Sequence, residues 1–137
     1  MCVLASISRL FAGGSGLNTI VVINQNSSNS CKLANYLCEQ RSIPSENTLR
    51  IYWSGNNVSW SSEDFTNHLL TPLMTMLVGR GLTNQIDYLV LSMDIPFKTV
   101  LNTTNVNSTT SALYYGLKTV SHTNISSSIS FKPVVQR

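Results

Sequence analysis

The chain has 137 residues, 42% of them hydrophobic, which fits one domain with a core and excludes a disordered or fibrous class. Charged residues are only 11%, and the net charge of +3 comes from scattered Lys and Arg with no basic cluster. A surface built from Asn, Ser and Thr forms hydrogen bonds without attracting polyanions, which argues against nucleic acid or an anionic membrane as partner.

Residues 1–16 read as a flexible lead-in or the remnant of a secretion signal. Met1–Ala12 (MCVLASISRLFA) is short and apolar but lacks a basic start, and Arg9 interrupts it. Ala12-Gly13-Gly14-Ser15-Gly16 is a flexible joint. A glycine cluster marks a dinucleotide site only when it follows a strand and opens a helix. This one precedes a strand, so no cofactor is expected.

The domain proper is expected over residues 17–120. Asn18–Ile23 is the first strand, uninterrupted and β-prone, as suits a strand buried on both faces. A polar loop, Asn24–Ser30, leads into a helix from about Cys31 to Arg41, with Asn29 or Ser30 as its cap and Pro44 beyond its end. Thr48–Trp53 alternates apolar and polar residues, the signature of a half-exposed strand at a sheet edge. Ser54–Val58 is a loop turning at Gly55-Asn56-Asn57. Ser61–Asp64 resembles a capping box. The helix it opens carries a stripe from Phe65 to Leu77, bends at Pro72 and closes at Gly79 and Gly81.

Asp87–Met93 is the third strand, again apolar on both faces at Tyr88–Leu91. Beyond Phe97 the periodicity is lost. Leu101–Asn107 reads as a loop, and Ser108–Lys118 as a helix with Leu113, Tyr114 and Leu117 as its stripe. Residues 121–137 form a Ser-rich tail in which Ile129–Val135 is an extra strand or an extension.

Strand, helix, strand, helix, strand implies an α/β fold: a three-layer Rossmann-like parallel sheet with strand order 2-1-3 and helices on both faces. The switch point then falls between the first and third strands, where such folds bind ligands. It brings the C-terminal ends of those strands to one crevice. Asp94 is the candidate catalytic residue, as general base or ligand anchor; alternatively it caps the turn into Pro96. Asn24, Asn26, Ser27, Ser92 and Trp53 are the candidate ligand-binding residues. Trp53 and Trp60 either stack on a sugar or peptide or serve packing. An approach of Asp94 to Asn24 or a His would favour an enzyme.

His68 and His122 lie at no metal-ligand spacing, so no metal is expected. No GxSxG elbow is present. Cys31 and Cys38 are seven residues apart on one expected helix, roughly 10 Å along its axis, too far for a disulfide. They read as small buried apolar residues, and Cys2 adds no pair. Five Asn-x-Ser/Thr sequons (Asn26, Asn57, Asn102, Asn107, Asn124) carry little weight in so Asn- and Ser-rich a chain. No stretch approaches the roughly 18 apolar residues of a membrane span.

Three stretches together carry a resemblance: LNTIVVIN with the following S-x-x-x-LA-x-Y, then R-S-I-P-S-E-N, then Y-L-V-L-S-M-D-I-P with N-S-T-T-S-A-L-Y-Y-G. The combination resembles a bacterial family of unknown function defined by automated sequence models, over about Leu17–Val120. Its motif positions fall on Asn24, Ser30, Tyr36, Arg41, Ile43, Pro44, Asn47, Asp94, Pro96 and Ser111. Many members have Gly where this chain has Asp94, and an Asp where it has Ala112. The resemblance implies export to an extracytoplasmic location and a chain that is the N-terminal portion of a longer member. The layout is also similar to caspase-like and gingipain-like cysteine peptidases, whose His and Cys follow later strands. The expected function is a binding or hydrolase-like module for a small molecule, peptide or glycan; the alternative is a structural or adhesion domain of a cell-surface protein.

Overall fold

The computed structural model describes residues 15–118. The lead-in before Ser15, Cys2, His122 and the Ser-rich tail lie outside the described residues. Six strands and four α-helices are present among them: β1 (Thr19–Asn24), α1 (Ser28–Arg41), β2 (Thr48–Ile51), β3 (Ser59–Ser61), α2 (Ser62–Phe65), α3 (Thr71–Gly79), β4 (Tyr88–Leu91), β5 (Lys98–Val100), β6 (Val106–Ser108) and α4 (Thr109–Tyr115).

The chain is α/β, and its first sheet is parallel with the order β2-β1-β4, the order expected from the sequence. β1 is the middle strand, with Val21 opposite Thr48 on one side and Thr19 opposite Tyr88 on the other. A strand flanked on both sides and covered on both faces must be apolar throughout, and Ile20, Val21 and Val22 are wholly buried. Their side chains alternate between two clusters. Val21 and Ile23 join Ala34, Cys31 and Leu37 of α1, and Ile43. Ile20 and Val22 join Phe65, Leu69, Leu73 and Met76 from the α2–α3 region.

β2 is the edge its alternation announced: Leu49 and Ile51 are buried, and Arg50 points to solvent. It stops at Ile51, two residues before the expected end, because the main chain of Trp53 bonds to a side chain of β1. β4 departs from expectation in burial. Leu89, Val90 and Leu91 are only half-buried and Tyr88 is exposed, since β4 is the other outer strand of this sheet.

α1 begins three residues earlier than expected, with Ser27 rather than Asn29 or Ser30 as cap. Its end explains the R-S-I-P-S-E-N element. Ser42 takes a left-handed φ of 50°, and the Ile43 N–H returns to the Cys38 carbonyl while that of Ser42 reaches Glu39. This is a Schellman stop, with Ile43 buried against Leu37 and Cys38. Pro44 then opens a 3-10 turn, Ser45–Asn47, and the buried Asn47 amide donates to the Leu17 carbonyl at 2.8 Å. Gly16, expected in a flexible joint, is instead packed into a 3-10 turn, where a Cβ would lie 2.3 Å from the Arg41 carbonyl oxygen.

Pro72 bends the second helix without ending it, by a specific means. Thr66–Leu70 forms a π-turn between α2 and α3, in which the Thr71 N–H bonds back five residues to Thr66. Proline has no N–H to give and its ring crowds the carbonyl four residues earlier, so a widened turn accommodates it. Ser61 caps α2 as expected, accepting from Asp64 N–H and donating to its carboxylate.

A second sheet, β3-β5-β6, was missed entirely by the sequence reading. Its strands are three residues each and polar (SWS, KTV, VNS), too short for any periodicity. Trp60 is in β3 and buried, serving packing rather than ligand stacking. Its indole N–H lies 3.0 Å from Thr99 Oγ1 and 3.2 Å from Thr109 Oγ1. α4 ends at Tyr115 before Gly116, short of the expected Lys118, and Tyr114 faces solvent while Ala112 is buried.

Two expectations follow from these details. Ser42→Gly relieves a left-handed residue and should raise stability by about 0.5–1 kcal/mol in urea unfolding, with Ser42→Ala giving no gain. Cys38 has its thiol pushed up by burial, an effect the nearby Arg50 charge partly offsets. As pH rises past the ordinary thiol value of 9.0, the unfolded chain loses this proton first and the folded chain keeps it, so stability should fall in that window. Cys38→Ala should flatten the alkaline limb of a plot of unfolding free energy against pH.

Candidate functional site

β1 ends at Asn24 because the next residues are polar and open a turn, and the side chain of Asn24 remains in the interior at 2% exposure. Its carboxamide oxygen accepts from the N–H of Trp53 at 3.1 Å and of Asn26 at 3.2 Å. Its NH2 group donates to the carbonyls of Trp53 at 3.0 Å and Asp94 at 2.9 Å. Two donors and two lone pairs are all that a carboxamide has. Asn24 therefore fastens the segments following β1, β2 and β4 to one another and has no valence left for a ligand.

Ser27 and Ser30 extend the tie into α1. Ser27 Oγ accepts from the Ser30 N–H at 3.0 Å and donates its proton to the Asp94 carboxylate. Ser30, fully buried, accepts from the Asn24 N–H through its hydroxyl at 2.9 Å. Ser92, expected to face the crevice, does not: it is buried and donates to the Ser30 carbonyl at 2.8 Å, locking β4 to α1. The reason is the pleat, which turns the residue after Leu91 inward.

Asp94 is half-buried with φ 56°, a left-handed conformation that Asp tolerates better than most residues. One carboxylate oxygen takes the Ser27 hydroxyl, and the other accepts from Asn57 Nδ2 at 2.9 Å. The approach of Asp94 to Asn24 is real, but it is made by the Asp94 carbonyl. The carboxylate is held by Ser27 and Asn57, above the first turn of α1 where a negative charge is favoured.

These residues line an open hollow of about 400 Å³ at the C-terminal ends of β1 and β4, the place expected for a site. Asn24, Asn26, Ser27, Trp53 and Asp94 are all in its wall, joined by Ser28, Asn29, Ser54, Gly55 and Asn57. The sequence marks Gly55 and Asn57 as turn residues, and neither as part of a site. Asn57 gave no local signal of that role, since its partner is 37 positions away. Trp53 forms one side, its indole N–H donating to the Asn56 carbonyl at 2.9 Å and its ring meeting Trp60 and His68 edge-on at 5.6 and 5.3 Å. Gly55 lies flush on that ring, where a Cβ would be 2.3 Å from Trp53 Cζ2.

Among the described residues no His lines the hollow: His68 lies behind Trp53 with Nδ1 at 3.0 Å from the Asp64 carbonyl. Among the described residues no three His, Cys, Asp or Glu side chains group to hold a metal. Cys31 and Cys38 are both free and half-buried. No helix of the described residues is long and apolar enough to cross a membrane. A larger hollow of about 650 Å³ runs along α3, lined by Asn67, Thr71, Thr75 and Arg80 with Pro72, Met76 and Gly79.

Comparison with protein-family models, with curated proteins and with solved structures finds no match to this chain.

The bonding order sets an order of stability. Asn24→Ala leaves several buried main-chain groups unpaired and should destabilise by about 3 kcal/mol or more. Asp94→Ala should cost less, about 2 kcal/mol, and Asp94→Asn about 1 kcal/mol, since an amide keeps an acceptor and tolerates φ 56°. Chemical unfolding of the three variants checks this; an Asn24→Ala midpoint equal to that of the parent chain overturns it.

Proposed function

We propose that the chain is an exported, Rossmann-like three-layer domain, related to the bacterial family it resembles, and that its crevice binds an uncharged polar ligand of the glycan or peptide class without transforming it. The observation that carries this is the chemistry of the hollow: side-chain amides and hydroxyls around one indole, with no Lys or Arg in the wall among the described residues. The carboxylate that could act as base is held between Ser27 and Asn57. It also fills the anion-favouring end of α1 from within the chain, which disfavours anionic ligands. Ser27 serves as helix cap, accepting from one neighbour and donating to another, and among the described residues no imidazole reaches it to make it a nucleophile. Export accords with a surface rich in Asn, Ser and Thr.

A second reading, a structural or adhesion domain, is favoured by one observation: all four hydrogen-bonding positions of the Asn24 amide are used internally.

Calorimetric titration with neutral oligosaccharides and with uncharged peptides separates the two. Saturable binding is expected, and Asn26→Ala or Asn29→Ala should each weaken it by roughly fivefold, the worth of one hydrogen bond. Absence of heat from both series at millimolar ligand would exclude the binding reading and leave the structural one.

A further inference from the structure

We propose that the ligand is a linear, neutral oligosaccharide of at least three units, held in two hollows that meet at Trp53. This rests on the reading of the crevice as a ligand site. A second hollow of about 480 Å³ lies on the other side of the Trp53–Asn56 segment, lined by Ser59, Ser61, Val100 and Leu101 among others. Trp53 and Gly55 belong to both walls. The partition between the hollows is thus one indole and one residue without a side chain.

That partition is held in place. The indole N–H is fixed on Asn56, two rings pack edge-on against Trp53, and Gly55 leaves no room for a methyl group against it. Trp53 is half-buried and already ordered, so the part of its ring that borders the hollows meets sugar C–H groups with no further ordering cost. The two sides differ in chemistry as the two aspects of a sugar chain do. Asn26, Ser28, Asn29 and Ser54 offer hydrogen bonds to hydroxyls on one side, while the other adds the apolar surface of Val100 and Leu101 to the hydroxyls of Ser59 and Ser61.

Charge points the same way. Among the described residues neither wall contains Lys or Arg, and each carboxylate is bonded within the chain, Asp94 to Ser27 and Asn57, Asp64 to Ser61 at 2.8 Å. A peptide laid in the groove would seek a strand edge for its main chain. At the crevice the N–H and carbonyl of Trp53 are tied to Asn24, and the edge strand beside the second hollow, β3, is only three residues long.

The test is titration of the full chain with glucose, cellobiose, cellotriose and cellotetraose, with the matching N-acetylglucosamine series and with neutral Gly/Ser/Asn hexapeptides in parallel. The expected result is affinity that rises with length in at least one sugar series, by about tenfold or more between the monomer and the trimer. Leu101→Trp, which fills the second hollow, should abolish the gain in affinity between the monomer and the trimer. Ser59→Gln serves the same purpose if Leu101→Trp melts early. Length-independent sugar affinity, or binding of the hexapeptides alone, overturns the proposal while the crevice remains a ligand site. No binding by any probe overturns both.

Discussion

One buried carboxamide joins the parts of this protein. Asn24 stands at the end of the middle strand, and its four hydrogen bonds run to the main chains that follow all three strands of the parallel sheet. An amide removed from water must find protein partners or leave a large desolvation penalty uncompensated. The requirement works in both directions here. Trp53 and Asp94 are held where they are because Asn24 needs them, and Asn24 can be buried because they are there.

From that tie the electrostatics of the crevice follow. α1 starts beside Asn24, so the unpaired N–H groups of its first turn face the gap between β1 and β4. In many α/β proteins a phosphate or carboxylate ligand sits there. In this chain Ser27 caps the turn and donates a hydrogen bond to the Asp94 carboxylate, so the favoured negative charge comes from the protein. The left-handed backbone of Asp94 is the conformational cost of bringing that carboxylate over the helix end. What remains open to solvent is a neutral, hydrogen-bonding wall with one aromatic side.

The second sheet sets the other boundary. β3 and β5 run parallel, Trp60 lies opposite Thr99, and the indole N–H is shared by two buried threonines. This fixes Trp60, and Trp60 with His68 fixes Trp53. The π-turn ahead of Pro72 keeps Leu69 and Leu73 in the same cluster as Trp60, although a proline interrupts the helix. Packing therefore passes from the second helix through two tryptophans to the edge of the crevice.

The parts legible in the order of residues were those in which a local pattern and burial agree. Ile20–Ile23, the stripe of the second helix, the alternation of Thr48–Ile51 and the Ser61 cap each contain their own signal, and from them the strand order followed. Three-residue strands hold no period, so β3, β5 and β6 could not be recognised. The true cap of α1 was hidden among five eligible Ser and Asn residues. Asn57 meets Asp94, Ser92 turns inward to Ser30, and Gly16 is pressed against Arg41, each across a separation that no window of sequence spans. Local preferences are properties of neighbouring residues along the chain. Which polar group ends beside which, and hence whether Asp94 is free or bound, is settled only when the segments are packed and every buried donor must be given an acceptor.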